Sequence, residues 1–325
     1  MNFETNRKEL PLNDLSPACS SDLHRATDHW DRWQTTRHTS GQRYADWGDH
    51  PTVFKAVMRE CFGNENHDFF TYLRAHYPHC QTAHALSLCC GDGSFEAQLI
   101  QKGVFERITG LEISHERIKH GQAQIEAGHL SKHMTFLQQD VNLGHFGEAC
   151  FDVVFAKAAL HHIENLELAF LGIKRCLKPG GLLVAIDFFG PTRFQWTQTQ
   201  LDSCNWFWKH KVLPELQRES EDKSHRPLDE PITRPSIESM LALDPSEAVR
   251  SSDLMQLISA NFKIQENISL GGTVLNLLLY GDRVNRFDSE NPRHNLILEE
   301  AVSLERNLMA SGTLGSDFKF IVASV

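Results

Sequence analysis

Between residues 84 and 188 the hydrophobic positions alternate between short apolar runs and amphipathic stretches with apolar residues three or four apart. Ala85–Cys89, Arg107–Leu111, Met134–Leu137, Phe151–Phe155 and Leu182–Phe188 read as strands. Phe95, Leu99 and Ile100 mark one intervening helix, with Ser94 as its N-cap. Ile118 and Ile125 mark a second helix, capped by Ser114, and Leu166–Cys176 forms a third. Leu177-Lys-Pro-Gly-Gly181 reads as a tight turn, in which Pro sets φ and Gly supplies the left-handed position. Strands joined by helical crossovers predict a parallel, twisted sheet with helices on both faces.

The flanks differ in texture. Residues 1–80 are polar and aromatic and predict an N-terminal helical cap segment, and residues 81–188 form the core. Residues 189–250 predict a cap insertion, and residues 251–325 the C-terminal completion of the sheet, with helices and a strand at Phe318–Val322. The charged stretch Gln217–Arg234 reads as a surface loop or a lid hinge. No internal repeat is present.

The 325 residues are 41% hydrophobic and 23% charged, an ordinary globular balance. No apolar run approaches the ~20 residues that span a bilayer, and the first residues lack the apolar core of a secretory signal. A soluble, cytoplasmic protein that binds no membrane is the expectation. Basic residues (32 against 42 acidic, net −10) are scattered rather than gathered into a stripe that could grip phosphates. Nucleic acid is therefore not an expected partner. Eight cysteines without a Cys-x-x-Cys pair or zinc-finger spacing read as reduced, mostly buried thiols.

The candidate chemistry lies at strand ends. In a doubly wound sheet, ligands bind at the carboxyl edge, where the strand order reverses. The first strand delivers Cys89-Cys90-Gly91-Asp92-Gly93 to that edge, and glycines there permit close approach of the backbone to a ligand. Glu112, followed by Ile113, ends the next strand at the distance where a carboxylate accepts hydrogen bonds from ribose hydroxyls. Asp140, with Val141, ends the third strand and could meet the exocyclic amine of a purine. Neither G-x-G-x-x-G nor G-x-x-x-x-G-K-[ST] occurs, so an adenosine ligand without phosphates fits best.

Glycine loop, spaced acid, second acid and Pro-Gly-Gly turn, in this order, resemble a class I S-adenosylmethionine (SAM)-dependent methyltransferase of the small-molecule type. The resemblance covers residues 84–188, about a third of the chain, and implies a Rossmann-like α/β fold of about seven mostly parallel strands with a helical, aromatic cap. It implies SAM as methyl donor, with Gly91, Asp92, Gly93, Glu112, Ile113, Asp140 and Val141 around it. Two positions depart from the family. Ser87 stands where an acid is usual, and Cys89 where the first loop glycine is usual, which narrows the approach unless φ there is negative. Gly190-Pro-Thr-Arg-Phe-Gln-Trp196 and Asp244-Pro-Ser-Glu-Ala-Val-Arg-Ser251 are similar to a bacterial subgroup with biosynthetic substrates.

His161 and His162 follow the fourth strand, where a neutral imidazole could deprotonate a hydroxyl or amine acceptor. The other reading has one histidine capping the next helix and the other packing beneath it. Asp187 faces the same edge, as a substrate contact or a backbone support, and Lys157 could reach a carboxylate. All six tryptophans and all four tyrosines lie outside residues 84–188. They either bury the cap or form an aromatic lid over the sulfonium, with Arg43, Tyr44 and Trp47 as the leading lid candidates. The expected reaction is in-line methyl transfer to a small molecule, which requires no metal. A ring-forming use of SAM, giving azetidine-2-carboxylate and methylthioadenosine, and a non-catalytic SAM-binding module are the alternatives.

Overall fold

The computed structural model describes residues 17–36, 43–64, 66–219 and 230–325. Seven strands form one sheet: β1 (His84–Leu88), β2 (Arg107–Glu112), β3 (Met134–Gln138), β4 (Phe151–Lys157), β5 (Leu177–Phe188), β6 (Lys263–Gly271) and β7 (Phe318–Ser324). Their order is β3-β2-β1-β4-β5-β7-β6. The first five are parallel, and β7 inserts antiparallel between β5 and β6. The strand order reverses between β1 and β4, so the loops leaving these two strands flank the crevice where such sheets bind ligands.

The sheet strands alternate between two cores. Ala85, Val153, Phe155, Val184 and Phe320 bury on one face against α3 (Phe69–His76) and α4 (Ser94–Gln101). Leu86, Val154, Leu183, Ala185 and Ile321 bury on the other, against α6 (Leu166–Cys176) and α10 (Leu254–Asn261). Asp187 continues the Leu183–Ala185 phase past the hydrophobic layer, which places its carboxyl at the carboxyl edge. Strand ends differ from the expected ones by one or two residues, except that β5 begins at Leu177, five residues before the expected Leu182. The Pro-Gly-Gly turn survives as a bulge inside β5: Phe151 pairs with Leu177 but Val153 with Leu182, and Gly180 has φ +79°.

A third core belongs to the cap. It gathers Tyr44, Trp47, Phe194, Trp196, Phe207 and Trp208 with Leu298 and Val302. Tyr44 and Trp47 come from the chain between α1 (Pro17–Thr36) and α2 (Pro51–Phe62). Phe194 and Trp196 come from the segment before α7 (Gln198–Phe207), and Phe207 and Trp208 from α7 and the π turn leading into α8 (Leu213–Glu219). Leu298 and Val302 come from α12 (Pro292–Ala310), with α11 (Leu275–Leu278) in the same core, while α9 (Ile237–Leu243) contributes Met240. α5 (His115–Ala127) packs on β3 and on α1. Of the charged stretch 217–234, residues 220–229 lie outside the described residues. At its far end Ile232 N donates to Asn205 Oδ1 at 2.7 Å.

One close approach fixes the position of α6. Gly172 lies against the carbonyl of Gly144, and a Cβ at position 172 would overlap that oxygen. Gly→Ala in a helix ordinarily stabilises by about 1 kcal/mol. Here Gly172→Ala is expected to lower stability by about 1–3 kcal/mol, because backbone rather than a flexible side chain must give way. A urea midpoint at or above that of the parent would reject the argument.

Candidate active site

The loop after β1 is held by the acid that ends β2. Glu112 is buried, and its Oε2 accepts from Gly91 N at 2.8 Å. Its Oε1 accepts from Ile113 N at 2.8 Å and Ser114 N at 2.9 Å. The guanidinium of Arg117 stands 3.9 Å from Oε2 and stacks on Trp30 and Trp33 of α1, 4.5 and 5.0 Å from the ring centroids. Asp31 of the same helix accepts from Ser114 Oγ and, at 3.3 Å, from Glu116 N. Thus α1 lies over the carboxyl end of β2, fastened at the start of α5. Ser114 caps α5, its Oγ accepting from Arg117 N at 3.1 Å. Ser94 is instead the first residue of α4, and Asp92 Oδ1 accepts from both its N (3.1 Å) and its Oγ (2.6 Å).

Gly91 and Gly93 have φ +62° and +69°, and Cys89 has φ +48°. The expectation that a negative φ could relieve the approach at Cys89 is therefore corrected: the residue adopts the left-handed conformation natural to the glycine it replaces. Burial pushes its thiol, and that of Cys90, well above the ordinary range.

The acid missing from β1 has a neighbour in its place. Ser87 Oγ donates to Glu96 Oε1 at 2.7 Å, so α4 brings a carboxyl to the inside of the first strand. Glu96 is 3% exposed, its Oε2 has no hydrogen-bond partner, and burial raises its pKa from 4.5 to about 7. A carboxyl with a raised folded pKa binds a proton in the folded state that the unfolded chain has released. Stability should therefore fall as pH rises from 4.5 to about 7, by on the order of 3 kcal/mol. Glu96→Gln is expected to flatten this loss. Urea unfolding at pH 5 and pH 8 measures it, and parallel profiles for parent and variant would exclude it.

Across the crevice, a second constellation sits above β4 and β5. Asp187 is 1% exposed; its Oδ2 accepts from Ala159 N at 2.9 Å and Leu160 N at 2.7 Å. Its Oδ1 accepts from Phe188 N at 2.8 Å and pairs with His161 Nδ1 at 2.6 Å. Asp187 thus shapes the turn after β4 and orients His161, as a support rather than a substrate contact. On the other side of the ring, His161 Nε2 lies 3.4 Å from Glu247 Oε1. Burial works against charge on His161, but Asp187 and Glu247 outweigh it and raise its pKa to about 10. Burial likewise opposes ionisation of Glu247, but the two histidines bring it down to about 2.

His162 lies tilted against His161 with ring centroids 4.1 Å apart, and Trp30 meets it edge-on at 5.4 Å. Its Nδ1 is 3.0 Å from Ser246 Oγ, whose own proton goes to Asp244 Oδ1 at 2.7 Å. The Ser246 oxygen must therefore accept, which assigns His162 as the Nδ1–H tautomer with a lone pair on Nε2. Burial and the neighbouring His161 charge lower its pKa, so it is neutral at pH 7.

The two cap segments singled out in the sequence build this arrangement together. Ser251 Oγ donates to Gly190 O at 2.9 Å, Arg193 N to Ala248 O at 2.8 Å, and Arg193 Nη1 to Glu247 O at 3.0 Å. Val249 N donates to His161 O at 3.0 Å and pins the segment to the rim.

The structure brings Gly91, Asp92, Gly93, Glu112, Ile113, His161, His162 and Asp187 to the carboxyl edge. Asp140 also ends its strand there, but its Oδ1 is engaged by Asn142 N and Nδ2, both at 2.9 Å, and Val141 is buried. Lys157 is exposed, with Nζ 4.9 Å from the Phe95 ring centroid. Arg43, Tyr44 and Trp47 are corrections. Arg43 pairs with Asp288 at 3.0 Å on the outer face of the cap. Tyr44 packs on His50 and Trp47 on Phe318, both inside the cap core. Trp30 and Trp33 of α1 instead lie against Arg117, with Trp30 also meeting His162. Sequence reasoning missed Glu96, Arg117, Ser246 and Glu247, and also Asp46, whose carboxyl is in electrostatic range of Lys157 and Glu247.

Residues 86–185 match the family described as methyltransferase domain. An uncharacterised methyltransferase of Synechocystis is 32% identical over 111 residues, 34% of this chain and 49% of its own. A demethylmenaquinone methyltransferase of Leptospira interrogans is 28% identical over 134 residues, 41% of this chain and 52% of its own. The chain thus spans about half the length of these curated relatives. A SAM-dependent methyltransferase structure from Mesorhizobium loti aligns over 78% of this chain and 95% of its own, at 17% identity and a TM-score of 0.43. The similarity to methyltransferases is thus carried by the central segment, residues 86–185, which holds the glycine loop and Glu112.

Proposed function

We propose that this methyltransferase domain, closed by α1 and the 189–250 cap, transfers the methyl group of SAM to a small-molecule acceptor by in-line displacement. The observation that carries the reading is the meeting of cap and cofactor edge at one place: Trp30, Ser246 and Glu247 close on His161 and His162 beside the loop that Glu112 holds. SAM, when bound, supplies a methyl already activated by the sulfonium, so the chain's tasks are alignment and exclusion of water.

The residues present fit that cofactor. Gly91 and Gly93 hold the loop in left-handed turns at the carboxyl edge, and Glu112 Oε2 keeps one lone pair for a ribose hydroxyl. The unpartnered Glu96 oxygen offers an acceptor beneath the loop. Where the acceptor must lose a proton, His162 is the base, because its Nε2 lone pair is available at neutral pH. His161, held as a cation by Asp187 and Glu247, keeps that ring in place. No helix among the described residues is long and apolar enough to cross a membrane, and the scattered charge speaks for a small acceptor rather than nucleic acid.

The methyltransferase names of the curated relatives favour methyl transfer over the ring-forming use of SAM. Mass spectrometry of the protein with SAM, alone and with hydroxyl and amine acceptors, tests the reading. S-adenosylhomocysteine formed one-for-one with a methylated acceptor is expected. Methylthioadenosine produced with turnover from SAM alone would overturn it.

A further inference from the structure

We propose that His161, His162 and Glu247 form a binding site for one divalent transition-metal cation of the zinc and iron(II) class. One nitrogen of each imidazole and a carboxylate oxygen of Glu247 lie within 4.8 Å of one another, drawn together from the rim of β4 and from the cap. The supports of these groups select which atoms can bind. His161 Nδ1 is held by Asp187 at 2.6 Å, and His162 Nδ1 by the Ser246–Asp244 pair. Both rings are thereby fixed with Nε2 as the remaining ligand atom. A carboxylate or hydroxyl behind each imidazole is the arrangement that orients metal-binding histidines and strengthens their donor atoms.

The spacing agrees with the chemistry. Metal–nitrogen and metal–oxygen bonds of about 2.1 Å at a tetrahedral centre place neighbouring ligand atoms about 3.4 Å apart. His161 Nε2 and Glu247 Oε1 are 3.4 Å apart, too long for a good hydrogen bond and right for two ligands of one cation. Two imidazoles and one carboxylate suit zinc, iron, cobalt or nickel better than magnesium or calcium, which prefer all-oxygen sets. Three protein ligands also leave a coordination position open, as in sites that bind substrate rather than close a fold. His161 and His162 are largely buried and Glu247 about a quarter exposed, so the cluster is reached from the Glu247 side.

Binding would displace the proton that His161 Nε2 carries in the metal-free protein and would occupy His162 Nε2. In the metal-bound form the cation, by polarising an oxygen of the acceptor, would take over from His162 the easing of that acceptor's proton loss. Its binding does not depend on the methyl-transfer reading, so the two can fail separately. The sequence suggested no metal, because two adjacent histidines at the end of a strand have no recognisable ligand spacing without Glu247 from the cap.

The test uses the full chain, stripped with a chelator and desalted. Titration with Zn²⁺ by calorimetry should show one tight site, and Co²⁺ should give visible absorption bands characteristic of nitrogen and oxygen ligands. Glu247→Gln should weaken the site at least about 100-fold. Ser246→Ala, which removes no ligand but frees the His162 ring, should weaken it by about 10–100-fold. Circular dichroism confirms that each variant is folded, and Ser246→Ala carries the test should Glu247→Gln not fold. Of the 18 histidines, the 16 outside this site provide weak sites elsewhere, so the comparison with the variants decides. A parent protein that binds no equivalent of Zn²⁺ beyond what the folded variants bind, or a Co²⁺ spectrum the same in all three, overturns the proposal.

Discussion

Glu112→Gln is expected to weaken SAM binding by about 10- to 100-fold. The carboxylate of Glu112 closes the crevice on two sides: toward the loop through Gly91 N, and toward the start of α5 through Ile113 N and Ser114 N. These bonds leave the ionised group one lone pair, on Oε2, for the cofactor's ribose. Hydrogen bonds to a charged group contribute about 1.5–3 kcal/mol each. Weakening the one that remains for the ribose, by neutralising the acceptor, corresponds to about 10- to 100-fold in affinity.

The amide would also face trouble at home. Its nitrogen must point at Gly91 N or at the Ile113 and Ser114 pair, and donor then meets donor in a buried site. A loss of about 1–3 kcal/mol in stability should accompany the loss of affinity. Calorimetric titration with SAM, alongside urea unfolding, separates the two effects. A folded variant that binds SAM as the parent does would remove Glu112 from the cofactor site.

What the sequence disclosed follows from how local each signal is. The strands of the core were legible because apolar alternation is written in five to seven neighbouring residues, and Glu112 because its place at a strand end is a local fact. The partner of Ser87 was not legible. Glu96 reads as an ordinary first-turn acid of α4, where acids favour the helix dipole, and only the missing acid at position 87 hinted that something must replace it. Glu247 and Ser246 were hidden for a different reason. They reach His161 and His162 only because Arg193 and Gly190 clamp the 244–251 segment to the rim, a contact across more than fifty residues.

The tryptophans show the limit of composition. Their exclusion from the core was visible, but which of them face the crevice depends on the packing of α1 on α5. That packing sends Trp30 and Trp33 to Arg117, while Trp47, Trp196 and Trp208 fill the cap. Arg43 and Tyr44 were misplaced with Trp47 because nearness in sequence to an aromatic pair says nothing about the face it joins.

Asp187→Asn should be the most destabilising single change at the crevice, costing about 3–5 kcal/mol, the range found when one partner of a buried ion pair is removed. The carboxylate accepts four hydrogen bonds, two of which fold the turn that carries both histidines. Asparagine keeps one acceptor oxygen, turns the other into a donor facing N–H groups, and leaves His161 without its nearest counter-charge. The loss should depend on pH in a direction fixed by the shifts. His161 has its pKa raised from 6.5 to about 10, so its stabilisation is complete below pH 6.5 and disappears as pH rises through 10. Asp187, lowered from 3.8 mainly by that cation against the opposing effect of burial, and Glu247, lowered from 4.5 to about 2, stabilise above their ordinary values. Those contributions are lost as pH falls through the folded values. The cluster therefore contributes most between about pH 4.5 and 6.5. The gap in urea midpoint between parent and Asp187→Asn should be widest near pH 5.5 and narrow toward pH 10. In the same variant the His161 ring, followed by NMR, should titrate below its parent value, because Glu247 alone remains beside it. A gap that does not change with pH, with His161 titrating as in the parent, would mean that Asp187 only braces the backbone and that the charge on His161 is held by something else.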